Sequence, residues 1–77
     1  MKVIDSYEIK RRNTYTVLNI SLQENNLTFD TPQQVHDYFI NREIPYNGKV
    51  YEVLGIEQFA VNAVRDKVGL LVKELNT

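Results

Sequence analysis

The chain has no cysteine and a single histidine. The first absence removes disulfide cross-links. The second leaves too few ligands for a zinc site, which takes three or four donor side chains. Neither sign of charge dominates, since nine lysines and arginines stand against ten aspartates and glutamates. A broad electrostatic grip on nucleic acid or on an anionic membrane is therefore excluded, and only a local basic patch remains open. The longest apolar stretch, Val68 to Val72, falls far short of the roughly 20 residues that a membrane-spanning helix requires. The opening residues Met1-Lys2-Val3-Ile4-Asp5 carry no apolar signal core. No Gly-Lys-Ser/Thr loop or other glycine-rich phosphate cradle occurs, so no nucleotide or other cofactor is expected. A soluble, cytoplasmic protein is the resulting expectation.

What is present is one small domain of 77 residues. A chain of this length buries only roughly 60% of the surface its unfolded form exposes, so packing or a partner must supply its stability. Val3 to Ile9 alternates loosely and reads as a strand, and Lys10-Arg11-Arg12-Asn13 reads as a turn. Thr14 to Leu22 alternates clearly, with Thr16, Leu18, Ile20 and Leu22 on one face and Tyr15, Val17, Asn19 and Ser21 on the other. Its β-branched and aromatic content suits a strand. Gln23 to Asn26 reads as a turn and Leu27-Thr28-Phe29 as a short third strand.

The period then changes. Thr31 is suited to cap a helix, Pro32 to open it, and Gln34 to complete a capping box. Val35, Tyr38, Phe39 and Arg42 recur at helical spacing, and the helix is expected to stop before Pro45. Asn47-Gly48 signals a type I′ hairpin turn between Ile44–Tyr46 and Lys49–Leu54. Gly55 marks a bulge or bend ahead of a further strand, Ile56 to Val61. Asn62 to Lys67 reads as a turn, and Val68 to Leu75 as the last strand. The expected class is mainly β (α+β): a small six-stranded barrel with one helix inserted after the third strand.

Three segments carry a resemblance to a known barrel. Ile9-Lys10-Arg11-Arg12-Asn13-Thr14-Tyr15-Thr16 is similar to an Ile-x-Gly-Arg-Gly-Thr-Val-Val hairpin. Gly55-Ile56-Glu57-Gln58-Phe59 is similar to Gly-Val-Glu-Met-Phe, and Val68-Gly69-Leu70-Leu71-Val72-Lys73 to Val-Gly-Val-Leu-Leu-Arg. In this order, they resemble the second domain of the translation elongation factor Tu family. Arg11 and Asn13 replace both hairpin glycines, and the Pro32–Arg42 helix stands where that family has strand and turn. The resemblance implies a barrel of that kind, and the lack of a Gly-Lys-Ser/Thr loop makes the expectation a stand-alone one, without a GTPase domain. In that family the barrel helps hold the aminoacyl end of tRNA, and the glutamate matching Glu57 contacts the terminal adenosine.

Chemistry-bearing residues are few. His36-Asp37 has no nucleophile in evident reach, because Ser6, Ser21 and Thr31 occupy strand or cap positions, so His36 is expected to be a solvated surface residue. With Glu43 it offers at most two metal ligands. Glu52 and Glu57 flank Gly55, but paired strand glutamates are ordinarily solvated. No catalytic, cofactor or metal residue is expected, and the chain reads as a non-catalytic interaction module rather than an enzyme.

The candidate binding residues are Arg11, Arg12, Tyr15 and Glu57. The arginines lie in the only basic run, and Tyr7 and Tyr15 are near enough to stack bases beside it. RNA is thus one possible partner, and another protein or a second copy of the chain is the leading one. A sheet edge, or apolar surface around Ile40 and Tyr46, would serve that contact.

Overall fold

The computed structural model describes residues 1–61 and 66–75. Five strands, β1 (Asp5–Lys10), β2 (Thr14–Ser21), β3 (Glu43–Tyr46), β4 (Lys49–Val61) and β5 (Asp66–Glu74), form a single sheet. Its order is β1-β2-β5-β4-β3, and all four pairings are antiparallel. One helix, α1 (Pro32–Phe39), links β2 to β3. The protein is therefore mainly β with one helix. Among the described residues no helix is long and apolar enough to cross a membrane.

The alternation in β2 sets the layers. Leu18 and Ile20 share a face with Leu70 and Val68, their partners on β5. Together with Val72, Val53, Ile44, Val35 and Phe39 they form a core with almost no solvent exposure. Helix α1 closes this face as its apolar spacing requires, with Val35 and Phe39 buried. The Thr31 hydroxyl accepts the Gln34 N–H at 3.2 Å, and the Gln34 carboxamide accepts the Asp30 N–H at 2.7 Å. A side-chain cap and its reciprocal thus hold the first turn, with Gln34 reaching one residue further back than a capping box requires. At the far end the Arg42 guanidinium lies 4.0 Å from the centre of the Tyr38 ring.

Several expectations are corrected. The helix ends at Phe39, with Ile40 as its cap and Asn41 at φ 64°. That left-handed residue reverses the chain, so the helix stops before Pro45 as expected but three residues short of Arg42, the last position of the expected stripe. Leu27 to Phe29 is not a strand: Leu27 and Phe29 pack against the core, and Phe29 sits 5.4 Å from Tyr38. The turn expected over Gln23 to Asn26 is present, as one 3₁₀ turn over Gln23–Asn25 capped by Asn26. Ile56 to Val61 is not a separate strand either but the continuation of β4. Tyr46, expected as exposed apolar surface, packs against the core, and Ile40 is half-buried.

The six-stranded barrel is not formed among the described residues. With five strands, β1 and β3 end the sheet without pairing to each other. The last strand does return beside the first hairpin, through its pairing with β2. The turn expected over Asn62 to Lys67 lies mostly outside the described residues.

Strong coiling replaces closure. Within its pairing with β5, strand β4 skips two residues, Leu54 and Glu57, because the register slips between Val53 and Gly55 and again between Ile56 and Gln58. Each such bulge bends a strand and increases its twist. Gly69 permits the close packing that follows, since a Cβ there would lie 3.2 Å from Gln58 Cβ and 3.3 Å from Val17 Cγ1. Val17 is fully buried although it lies on the face opposite the main core. The Asn47-Gly48 turn closes β3 and β4, with φ at 54° and 79° as a type I′ turn requires.

Candidate functional site

The residues singled out from the sequence come together only in part. Arg11, in the β1–β2 turn, forms an ion pair with Glu57 at the second bulge of β4. In a flat sheet the β1 edge and β4 stand three strand spacings apart, about 14 Å. The contact therefore reports the coiling just described. It also changes what each residue has to offer, because the Arg11 guanidinium and the Glu57 carboxylate are engaged with each other. Arg12 is exposed in the turn and Tyr15 is half-buried across from Ile9.

The pair contributes little to stability, as the Arg11 side chain remains 58% exposed. We expect Arg11→Ala to lower the unfolding free energy by less than about 1 kcal/mol in urea titration. A larger loss would mean that the pair clamps the hairpin onto β4.

The other sequence candidates stay separate. His36 and Asp37 are exposed neighbours with a 3.5 Å contact between Nδ1 and Oδ1. Glu52 pairs with Lys73 at 3.3 Å, not with Glu57. Among the described residues no group of three or more His, Cys, Asp or Glu is placed to hold a metal ion.

The sheet edges define a second site; the sequence suggested a sheet edge without indicating which strand supplies it. The Arg11 N–H donates to the Asn13 carbonyl at 2.9 Å and the Ile4 N–H to the Asn19 carbonyl at 2.7 Å. The carbonyls of odd-numbered β2 residues thus point at β1. With Asp5 paired to Asn19 and Tyr7 to Val17, the alternation of antiparallel ladders makes the odd residues of β1 those bonded to β2. The N–H and C=O groups of Ser6, Glu8 and Lys10 therefore face outward, away from the sheet.

The opposite edge differs. On β3, Ile44 pairs with Tyr51 and Pro45 with Val50. The Asn41 N–H donates to the Val53 carbonyl and the Val53 N–H to the Arg42 carbonyl, so odd β4 residues point at β3. Pro45 consequently occupies an outward position, where proline offers no donor. A short edge carrying an outward proline is protected against further pairing. Strand β1 is longer and carries no proline, and Ile4 and Tyr7, 42% and 39% exposed, flank its outward groups.

Beside β1 the core-side face opens into a polar cavity of about 590 Å³. It is lined by Ser6, Tyr7 and Glu8 of β1, Thr16 of β2, Lys49 and Tyr51 of β4, and Glu74 of β5. Lys49 and Glu74 pair at 3.3 Å. Glu8 has no hydrogen-bond or ion-pair partner among the described residues, and neither does the hydroxyl of Tyr51, whose side chain is only 9% exposed. A signal for this cavity exists in the sequence: along one face of β2 the residues run Thr14, Thr16, Leu18, Ile20, from polar to apolar. The helix covers the apolar end and leaves the polar one open.

No protein-family model, curated protein or solved structure matches the chain.

Proposed function

We propose that the protein is a non-catalytic interaction module that binds another protein by extending its sheet at β1. One observation carries this reading: of the two sheet edges, β3 is blocked by an outward Pro45 and β1 presents three consecutive outward N–H and C=O pairs at Ser6, Glu8 and Lys10. An extended segment laid there satisfies backbone groups that have no backbone partner among the described residues, and its alternate side chains meet the surface on either face. The exposed Tyr7 and Ile4 add apolar area next to the edge. RNA binding through the basic turn has less in its favour, because Arg11 is already engaged with Glu57.

The test is capture on the immobilised protein from an extract at low salt, eluted with high salt and repeated after nuclease treatment, compared with a Glu8→Pro variant. Glu8 N–H takes no part in the β1–β2 ladder, so proline there removes an outward donor and spares the fold. We expect a protein that binds the parent and is lost from the variant. Nucleic acid released by salt would favour the basic turn instead, since phosphate contacts weaken steeply as salt rises. Equal capture by parent and variant would remove β1 as the binding edge.

A further inference from the structure

We infer that the segment accepted at β1 carries a lysine or arginine, held opposite Glu8 at the mouth of the adjoining cavity; this rests on the sheet-extension reading. In an antiparallel pair, directly opposed residues put their side chains on the same face. Glu8 lies on the side of the sheet that carries the cavity, since it pairs with Thr16, which shares the face of Leu18 and also lines the opening. A residue paired with Glu8 therefore sends its side chain over the same opening.

The chemistry of that opening selects a cation. The Lys49–Glu74 pair cancels within the lining, which leaves the Glu8 carboxylate as the uncompensated charge. Around it stand hydroxyl groups of Ser6, Thr16 and Tyr51, which accept hydrogen bonds from an ammonium or guanidinium group. The Tyr51 ring is packed into the core, with the residue only 9% exposed, while its hydroxyl has no protein partner among the described residues. Since no side-chain oxygen among those residues is buried without a partner, that hydroxyl reaches the solvent of the opening and is free to accept a hydrogen bond there. An acidic or apolar side chain at the same place would face Glu8 unfavourably or leave the hydroxyls unmatched.

A second copy of the chain is a poorer occupant. If two β1 strands pair antiparallel through their outward residues, Glu8 faces Ser6, Glu8 or Lys10 of the other copy. Only the last supplies a cation, and that register overlaps the two strands just from Glu8 to Lys10. The middle register sets Glu8 against itself, which is destabilising.

The experiment uses the whole protein, isotopically labelled, and blocked seven-residue peptides of alternating valine and threonine. The central residue of the peptide is lysine, arginine, glutamine or glutamate. Amide shifts and hydrogen exchange at Ser6, Glu8 and Lys10 report pairing at the edge, and peptide titration gives the affinity. We expect the lysine and arginine peptides to bind about tenfold more tightly than the glutamine peptide, as a hydrogen-bonded charge would give. The glutamate peptide should be weakest.

In Glu8→Gln, whose backbone and shape are unchanged, that preference should vanish while edge protection persists. Protection of the β1 amides with no preference for a basic residue overturns this inference and leaves sheet extension standing. Binding away from β1, or none at millimolar peptide, removes both. Protection that grows with protein concentration and needs no peptide names a second copy as the occupant and likewise overturns it.

Discussion

Phe39→Ala should leave the protein largely unfolded, or within reach of unfolding, at room temperature. Phe39 is the largest side chain in the fully buried set. Its ring stands edge-on to Tyr38 with centroids 4.9 Å apart, and lies 6.3 Å from Phe29. Helix α1 has only eight residues, too few to persist in water without an anchored face. Val35 and Phe39 are the two fully buried anchors. Truncating a buried phenylalanine costs about 3–5 kcal/mol, against a total stability of about 5–15 kcal/mol for ordinary domains. A chain of 77 residues with no cysteine for a disulfide belongs near the lower end of that range. Urea titration followed by circular dichroism reads the result directly. A midpoint close to that of the parent would mean that the helix does not close the core.

Val17→Asp should be about as damaging, by several kcal/mol, although Val17 is not part of the main core. On a flat sheet its face would be open to water and a carboxylate there would be tolerated. Here Val17 is fully buried, with Leu71 and Tyr7 as its cross-strand partners and Gly69 nearby. An ion placed there loses its hydration without gaining a partner, and the effective penalty is several kcal/mol. Leu54→Asp is the control. Leu54 is the unpaired residue of the first β4 bulge and is 37% exposed, so its substitution should stay within about 0.5 kcal/mol of the parent. Similar small losses for both variants would show that the second face is open and the sheet much flatter than described.

Much of the local structure was legible in the sequence. The alternation of Thr14 to Leu22, the Thr31-Pro32-Gln34 helix start and the Asn47-Gly48 turn each rest on contacts within a few residues, and each is present. The irregularity at Gly55 was legible too, but not what it does: the bulge absorbs the extra residue, so β4 runs through it instead of ending. Leu27 and Phe29 show the converse failure. Apolar alternation suggested pairing, while both side chains instead pack against the core, Phe29 beside Tyr38 and Phe39 of α1. The expected barrel failed for a related reason, because closure depends on whether β1 meets β3, and no local signal encodes that.

The candidate site follows the same division. Arg11 and Glu57 were each marked from sequence but were not expected to meet, being 46 positions apart. Their pairing depends on the order of the strands between them and on two bulges. The outward groups of β1 carry no side-chain signature at all, since direction along a ladder is fixed by register. Glu8 and Tyr51 became notable only once strands distant in sequence were set around one opening.

The proline on β3 has a consequence beyond recognition. A sheet that accepts new strands on both flanks can grow without limit, which is the hazard of cross-β stacking. With Pro45 terminating one flank, addition at the other ends after a single event, and the resulting complex is finite. Replacing that residue by one bearing an amide hydrogen would reopen the second flank, making the chain a potential building block for filaments.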